Sequence, residues 1–336
     1  MDSNIENEKV IELANQIDKW LLGYRDVAIA VLVCANSINV KLLDGEKQRC
    51  NLQIVMPKGE GKTTLLKMLV LNNPDMFVKL PEKCFESLLV SKGSDYFRRK
   101  VLIHYDLAIG FSGLQRKQLE QLTGFFSALL SDGLYERSES NKIDAECCAI
   151  FGIATTSYRS RRNFFVKETF IDRFAFFMKY ISEDEQKKSL ELMFHERDIP
   201  KIKLKYFKNP VGVEFNKDDE IIKEIIELSM ELGLYDVMSS KRSRNFIMNF
   251  MKSNALLSGR EKSGTSAVDL EIYKIVHPYL VSSSRVYDET GFLSSMLESG
   301  LSEKAIRKKL KWGKTKYFKI KGLLDKQRQG EDKHET

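Results

Sequence analysis

The sequence predicts an α/β fold: a mainly parallel sheet with helices on both faces, followed by a helical region and a small basic all-α unit. Three observations carry this. Apolar runs with strand character alternate with helical periodicities as far as residue 181; strand signals stop after about residue 215; and residues 302–328 hold eleven Lys or Arg against two acids, Glu303 and Asp325.

The elements follow in order. Val10, Leu13, Ala14, Ile17 and Leu21 fall at helical spacing over 8–22, and GYRDVAIAVLVCANSI (23–38) reads as a second, largely buried helix. Its apolar run, Val27 to Ala35, is too short to cross a bilayer, which needs about 20 residues. Strands are expected at 51–56, 76–80, 99–106, 147–156 and 174–181, with helices TTLLKMLVL and QRKQLEQLTGFFSALL between them. Three helices then follow from 218 to 280, and short helices fill the basic end. The expected division is an α/β core with lead-in helices (1–214), a helical domain of its own (215–283), a helix-turn-helix unit (284–328) and a tail (329–336).

At 336 residues, 43% hydrophobic and 30% charged, the chain has the composition of a globular protein of about two domains. The start, MDSNIENEKV, is acidic and lacks the order of a secretory signal, so a cytoplasmic, non-membrane protein is expected. Cys34, Cys50, Cys84, Cys147 and Cys148 have neither zinc-site spacing nor disulfide density and are expected as reduced core residues.

The strongest chemical signal is MPKGEGKTTLLKML (56–69), a strand running into a glycine-containing loop and then a helix. Glycines let backbone N–H groups turn inward around phosphates, a lysine reaches the β and γ oxygens, and the next hydroxyl completes a magnesium shell. Pro57, Lys58, Gly59, Glu60, Gly61, Lys62, Thr63 and Thr64 are the expected ATP-binding stretch, with Thr63 also on Mg2+. The pattern G-x-x-x-x-G-K-[ST] is broken only at its first position, where Met56 stands and its Cβ limits the backbone.

A magnesium site also needs an acid at the tip of a later strand, and RKVLIHYDLAIG supplies Asp106. Its neighbours are Tyr105 and Leu107, so no second acid adjoins it. Either the group that orients the attacking water lies elsewhere, or hydrolysis is slow.

With these residues in place, the chain resembles AAA+ ATPases, and among them the ATPase module of the minichromosome maintenance (MCM) helicases, over roughly residues 20–280. GYRDVAIAVL resembles the family's lead-in, and the phosphate loop and acid-tipped strand follow in its order. GIATTS (152–157) is similar to its sensor strand, with Thr155 or Thr156 where asparagine is usual; FIDRFAFFMKYISEDEQ (170–186) is similar to its arginine-finger segment, through Arg173. SSKRSRNFIMNFM (239–251) resembles the second sensor and assigns Arg242 to the phosphates, with Arg244 as the near alternative. The resemblance implies a three-layer αβα AAA+ core with a helical lid, ATP and Mg2+ as cofactors, catalytic roles for Asp106, Thr155, Thr156, Arg173 and Arg242, and a hexameric or related ring. The residues ahead of 20 are too few for those helicases' N-terminal DNA-binding domain.

Two further segments bear on DNA. LYERSESNKIDAE (134–146) reads as a hairpin, and the resemblance implies pore contacts through Arg137 and Lys142. At the basic end, Leu301, Ala305, Ile306, Leu310, Phe318, Leu323 and Leu324 are expected to form a small core, with Ser302 capping a helix. Lys314, Lys316, Lys319 and Lys321 would decorate the last helix as phosphate contacts in a winged-helix-like arrangement. The expected activity is therefore an ATP-driven, MCM-like motor on DNA, helicase-like or remodelling. The alternatives are an ATP-gated DNA-binding initiator or regulator with little hydrolysis, and an AAA+ protein acting on a protein partner.

Overall fold

The computed structural model describes residues 5–42, 49–57, 59–138, 141–154, 168–181 and, from 184 to 331, all but 186, 189–190, 192–198, 235–237, 282–288, 299 and 311. Helices α1 (Lys9–Trp20) and α2 (Arg25–Asn36) lead into β1 (Leu52–Met56), α3 (Lys62–Asn72) and β2 (Phe77–Lys79). Short helices at Glu86–Val90 and Ser94–Phe97 precede β3 (Lys100–His104), and another at Leu107–Gly110 follows it. Next come α4 (Arg116–Asp132), a hairpin of β4 (Leu134–Ser138) and β5 (Asn141–Asp144), β6 (Cys147–Ala154), a short helix at Glu168–Ile171 and β7 (Ala175–Met178). The chain continues as α5 (Asp219–Leu234), α6 (Ser240–Leu257), α7 (Ala267–Val276), β8 (Leu280–Val281), α8 (Glu289–Glu298), α9 (Glu303–Leu310) and α10 (Lys314–Glu331).

The six-stranded sheet has the order β2-β3-β6-β1-β7-β8, parallel throughout except for β8, which runs antiparallel to β7. Alternation along each strand divides the core between two faces. Leu52, Ile54 and Met56 of β1, Cys148 and Ile150 of β6, and Ala175 and Phe177 of β7 pack with α1, α2, α3, α6 and α7. Val55, Ala149, Phe151, Phe176 and Met178 pack with α4 and with apolar residues of α8, α9 and α10. Both faces of the sheet are thus covered, an αβα arrangement.

Local chemistry sets several boundaries. The Asp18 carboxylate accepts from the amides of Tyr24 and Arg25 at 2.7 and 3.1 Å, closing the start of α2 from outside the helix. Gln115 and Gln118 form a capping box on α4, and Gly133, at φ 63°, ends that helix in the left-handed conformation its hairpin turn requires.

Three details depart from the sequence reading. Residues 267–280 are not one helix: α7 ends at Val276, a 3-10 turn covers His277–Tyr279, and β8 adds a strand after residue 215. The helices expected as a lid share one continuous apolar core with α2, through Phe246, Ile247, Phe250, Tyr273 and Val276. In α10, Phe318 and Leu323 are each 46% exposed, and Tyr317 and Ile320 fill the core with Leu324. A helix advances about 100° per residue, so choosing 318 rather than 317 turns the inner face outward. Ser302 does cap α9, accepting from the Ala305 amide at 3.3 Å, and all five cysteines are unpaired and buried.

Candidate functional site

The site lies at the carboxyl ends of the parallel strands, where open α/β sheets place their ligands. Met56 is the last residue of β1, fully buried and in register with Ala154 of β6. Its backbone is ordinary extended strand, which explains why a side chain is tolerated where the phosphate-loop pattern has glycine. The turn is made later, by Gly59 at φ 90° and Gly61 at φ 87°, both in the left-handed region. A Cβ added at Gly59 would meet nothing within 4 Å, so the loop is open there, whereas one at Gly61 would lie 3.2 Å from the Tyr24 hydroxyl.

Lys62 opens α3, whose N-cap, Gly61, has no side chain with which to cap the first turn. Its side chain is 5% exposed and passes across β6: a Cβ on Gly152 would lie 2.8 Å from Lys62 Cε and would overlap the Tyr105 carbonyl. Burial pushes the ammonium below its ordinary range, opposed by the charges of Asp106 and Glu60. Thr63 is half-buried beside it and Thr64 is exposed. Asp106, past the end of β3, accepts from the Ala108 amide at 3.1 Å, capping the short helix Leu107–Gly110. Because β6 lies between β1 and β3, the loop and the acid face each other across one intervening strand.

These residues fit a magnesium nucleotide. A buried ammonium near carboxylates, a helix start with glycine at its N-cap and left-handed glycines together present positive charge and helix N-terminal amides to an anion. Among the described residues no group of three or more His, Cys, Asp or Glu is arranged to hold a metal ion, so the metal would rely on Thr63, Asp106 and phosphate oxygens.

The lead-in segment reaches this loop directly. The buried Tyr24 hydroxyl donates to the Glu60 carbonyl, and burial with the nearby Glu60 charge raises its pKa far above the usual phenol range. Asp26 pairs with Lys179, at the end of β7, at 2.6 Å. Neither Tyr24 nor Gly152 was singled out as a site residue from the sequence. The readable signal for Gly152 was a glycine inside an apolar strand, which marks close approach of another group.

The arginines lie elsewhere. Leu52 is in register with Ala175, so Arg173 precedes the start of β7, roughly 20 Å along the strands from the phosphate loop. Arg242, on α6, donates to the Asp172 carbonyl at 3.0 Å and to its carboxylate, which holds it at the same end of the strands as Arg173. Arg244 reaches Asn245 at 3.1 Å. Within one chain, neither Arg173 nor Arg242 is brought to Lys62. Thr155, Thr156 and Lys58 lie outside the described residues.

The expected hairpin is present as β4 and β5, but both its basic residues have acidic partners. Arg137 pairs at 3.0 Å with the buried Glu86, which also accepts from the Tyr135 hydroxyl at 2.8 Å, and Lys142 faces Glu136 at 3.8 Å. On α10, Lys314 and Lys319 are exposed, Lys321 is half-buried, and Lys316 pairs with Glu289 at 2.5 Å and lies over the Trp312 ring. No protein-family model matches the chain, and no curated protein matches it. No helix among the described residues is long and apolar enough to cross a membrane.

Proposed function

We propose that the chain binds ATP with Mg2+ and is a P-loop ATPase of the AAA+ type, acting on DNA as an oligomeric motor similar to the MCM ATPase module. The observation that carries this reading is the buried Lys62, laid over Gly152 between the left-handed glycine loop and Asp106. A plain surface lysine would have no reason to be desolvated beside a helix start.

Magnesium-ATP, when bound, supplies the transferable γ-phosphoryl group and the metal that neutralises its charge. The loop amides from Gly59 to Lys62 and the Lys62 ammonium would bind the phosphates, and Thr63 and Asp106 would hold the metal. Arg173 acts from a neighbouring copy, because its place at the amino ends of the strands suits an intersubunit position and not its own loop, which lies at their carboxyl ends. Head-to-tail contacts of that kind close into a ring.

One observation favours the second reading, an ATP-gated DNA-binding protein with little hydrolysis: Asp106 already caps Ala108, and the next residue, Leu107, is buried and apolar. Nucleotide titration separates these outcomes. Lys62→Ala is expected to abolish tight ATP binding, and its retention would remove the assignment. Turnover with and without single- and double-stranded DNA then distinguishes the motor from the gated binder.

A further inference from the structure

The segment KIKLKYFK (201–208) has no role in the phosphate site, yet it is held in a specific conformation. Asn73, at the carboxyl end of α3, serves it as a strand neighbour would: Nδ2 donates to the Ile202 carbonyl at 2.9 Å and Oδ1 accepts from the Leu204 amide at 2.6 Å. Asn39 repeats the arrangement, donating to the Lys205 carbonyl at 2.8 Å and accepting from the Phe207 amide at 3.1 Å. The extended course places Ile202 and Leu204 in the core and turns Lys201, Lys203 and Lys205 outward, exposed.

Alternate residues of an extended chain lie about 6.6 Å apart, close to the separation of successive phosphates in a stretched nucleic-acid strand. Beyond the lysines stand two half-buried aromatic rings. Tyr206 has the Arg99 guanidinium 5.5 Å and the Lys100 ammonium 5.6 Å from its ring centre, and Phe207 has Lys205 at 4.4 Å. The exposed Lys208 follows, its carbonyl accepting from Arg99. Acids do little to neutralise the strip: Glu261 reaches Lys205 at 4.0 Å, and among the described residues Lys201, Lys203 and Lys208 have no ion-pair partner. Burial of Ile202 and Leu204 requires only polar neighbours, so a row of like charges costs self-repulsion that a polyanion would relieve.

We propose that this strip is a binding site for single-stranded nucleic acid, with Lys201, Lys203 and Lys205 on consecutive phosphates and Tyr206 and Phe207 offering stacking faces. It lies by the carboxyl end of α3, about 16 Å of helix from the phosphate loop, and apart in sequence from the lysines of α10. It therefore stands whether or not the ATPase reading holds.

The test is fluorescence anisotropy with a labelled oligothymidine, without nucleotide, over a range of salt. K201Q/K203Q/K205Q, with α10 unchanged, is expected to lose roughly 10- to 100-fold in affinity near 0.1 M salt, its log–log salt slope falling by about 2. K201R/K203R/K205R should restore both. Tyr206→Leu should weaken binding several-fold and leave the slope alone. The glutamine variant keeps Ile202 and Leu204, and a melting curve like that of the parent verifies its fold. Unchanged affinity and slope in that variant, no binding by the parent chain, or a loss confined to duplex DNA or to anionic phosphatidylserine vesicles would each overturn the proposal.

Discussion

The Tyr24 hydroxyl donates to the Glu60 carbonyl, and the same ring closes over Gly61, so the lead-in helix and the phosphate loop are one mechanical unit. Tyr24→Phe removes one buried hydrogen bond and should cost about 1 kcal/mol of stability. ATP affinity should fall several-fold because the loop is no longer held from behind. Thermal melts and nucleotide titration on the same samples check both effects, and undiminished affinity would show that the loop is rigid without the tyrosine.

Gly152 gives a sharper prediction, since it lies outside the loop motif. An alanine there would press on the Tyr105 carbonyl and on Lys62 Cε, forcing the lysine from its path or spreading β3 from β6. Overpacking of this kind costs about 1–3 kcal/mol. Gly152→Ala is therefore expected to fold, melt earlier and lose most of its ATP affinity. A variant with lower stability but normal affinity would mean that Lys62 reaches phosphate by another route.

Lys62 also predicts a pH dependence. Its folded pKa lies below the ordinary 10.5, so the unfolded chain holds this proton at pH values where the folded chain has released it. Stability contributed by this group then rises with pH across the window from the lowered value up to 10.5. Lys62→Met, which removes the buried charge, should melt higher than the parent at neutral pH, with the difference shrinking toward pH 10.5. Parallel melts at several pH values measure this, and a constant difference would argue against a desolvated ammonium.

Arg173 and Arg242 at the amino ends of the strands and Lys62 at their carboxyl ends predict that a complete site needs two chains. Arg173→Ala should keep ATP binding and lose turnover, as should Arg242→Ala, which also frees Asp172. Arg173→Ala chains mixed with Lys62→Ala chains should regain some turnover, because certain interfaces pair an intact loop with an intact arginine. Persistent inactivity of a co-assembled mixture would remove Arg173 from the site.

For α10, replacing Lys314, Lys316, Lys319 and Lys321 by Ala should weaken duplex DNA binding and flatten its salt dependence without unfolding the core, because none of the four is fully buried. Electrophoretic mobility at two salt concentrations reads this directly. Equal binding by parent and variant would leave the exposed Phe318 and Leu323 as the notable features of that face.

Much of this was legible in the sequence, because the forces involved are local. Alternating apolar runs marked β1, β3, β6 and β7, and the glycines before Lys62 marked a turn that only residues without a Cβ adopt freely. Asp106 could be placed at a strand tip by counting along an apolar run. What the sequence could not decide was which distant residues meet. The strand order that puts β6 between the loop and the acid, the passage of Lys62 over Gly152 and the Tyr24 clasp all depend on contacts between segments far apart in the chain. The same holds for Arg242, whose ion pair with Asp172 spans 70 residues, and for Arg137, which the buried Glu86 claims from the preceding short helix. Periodicity fixes the face a residue shows, within a residue's error in a case such as Phe318. Only packing of the whole chain decides what that face meets, because burial is a sum over neighbours brought together by topology.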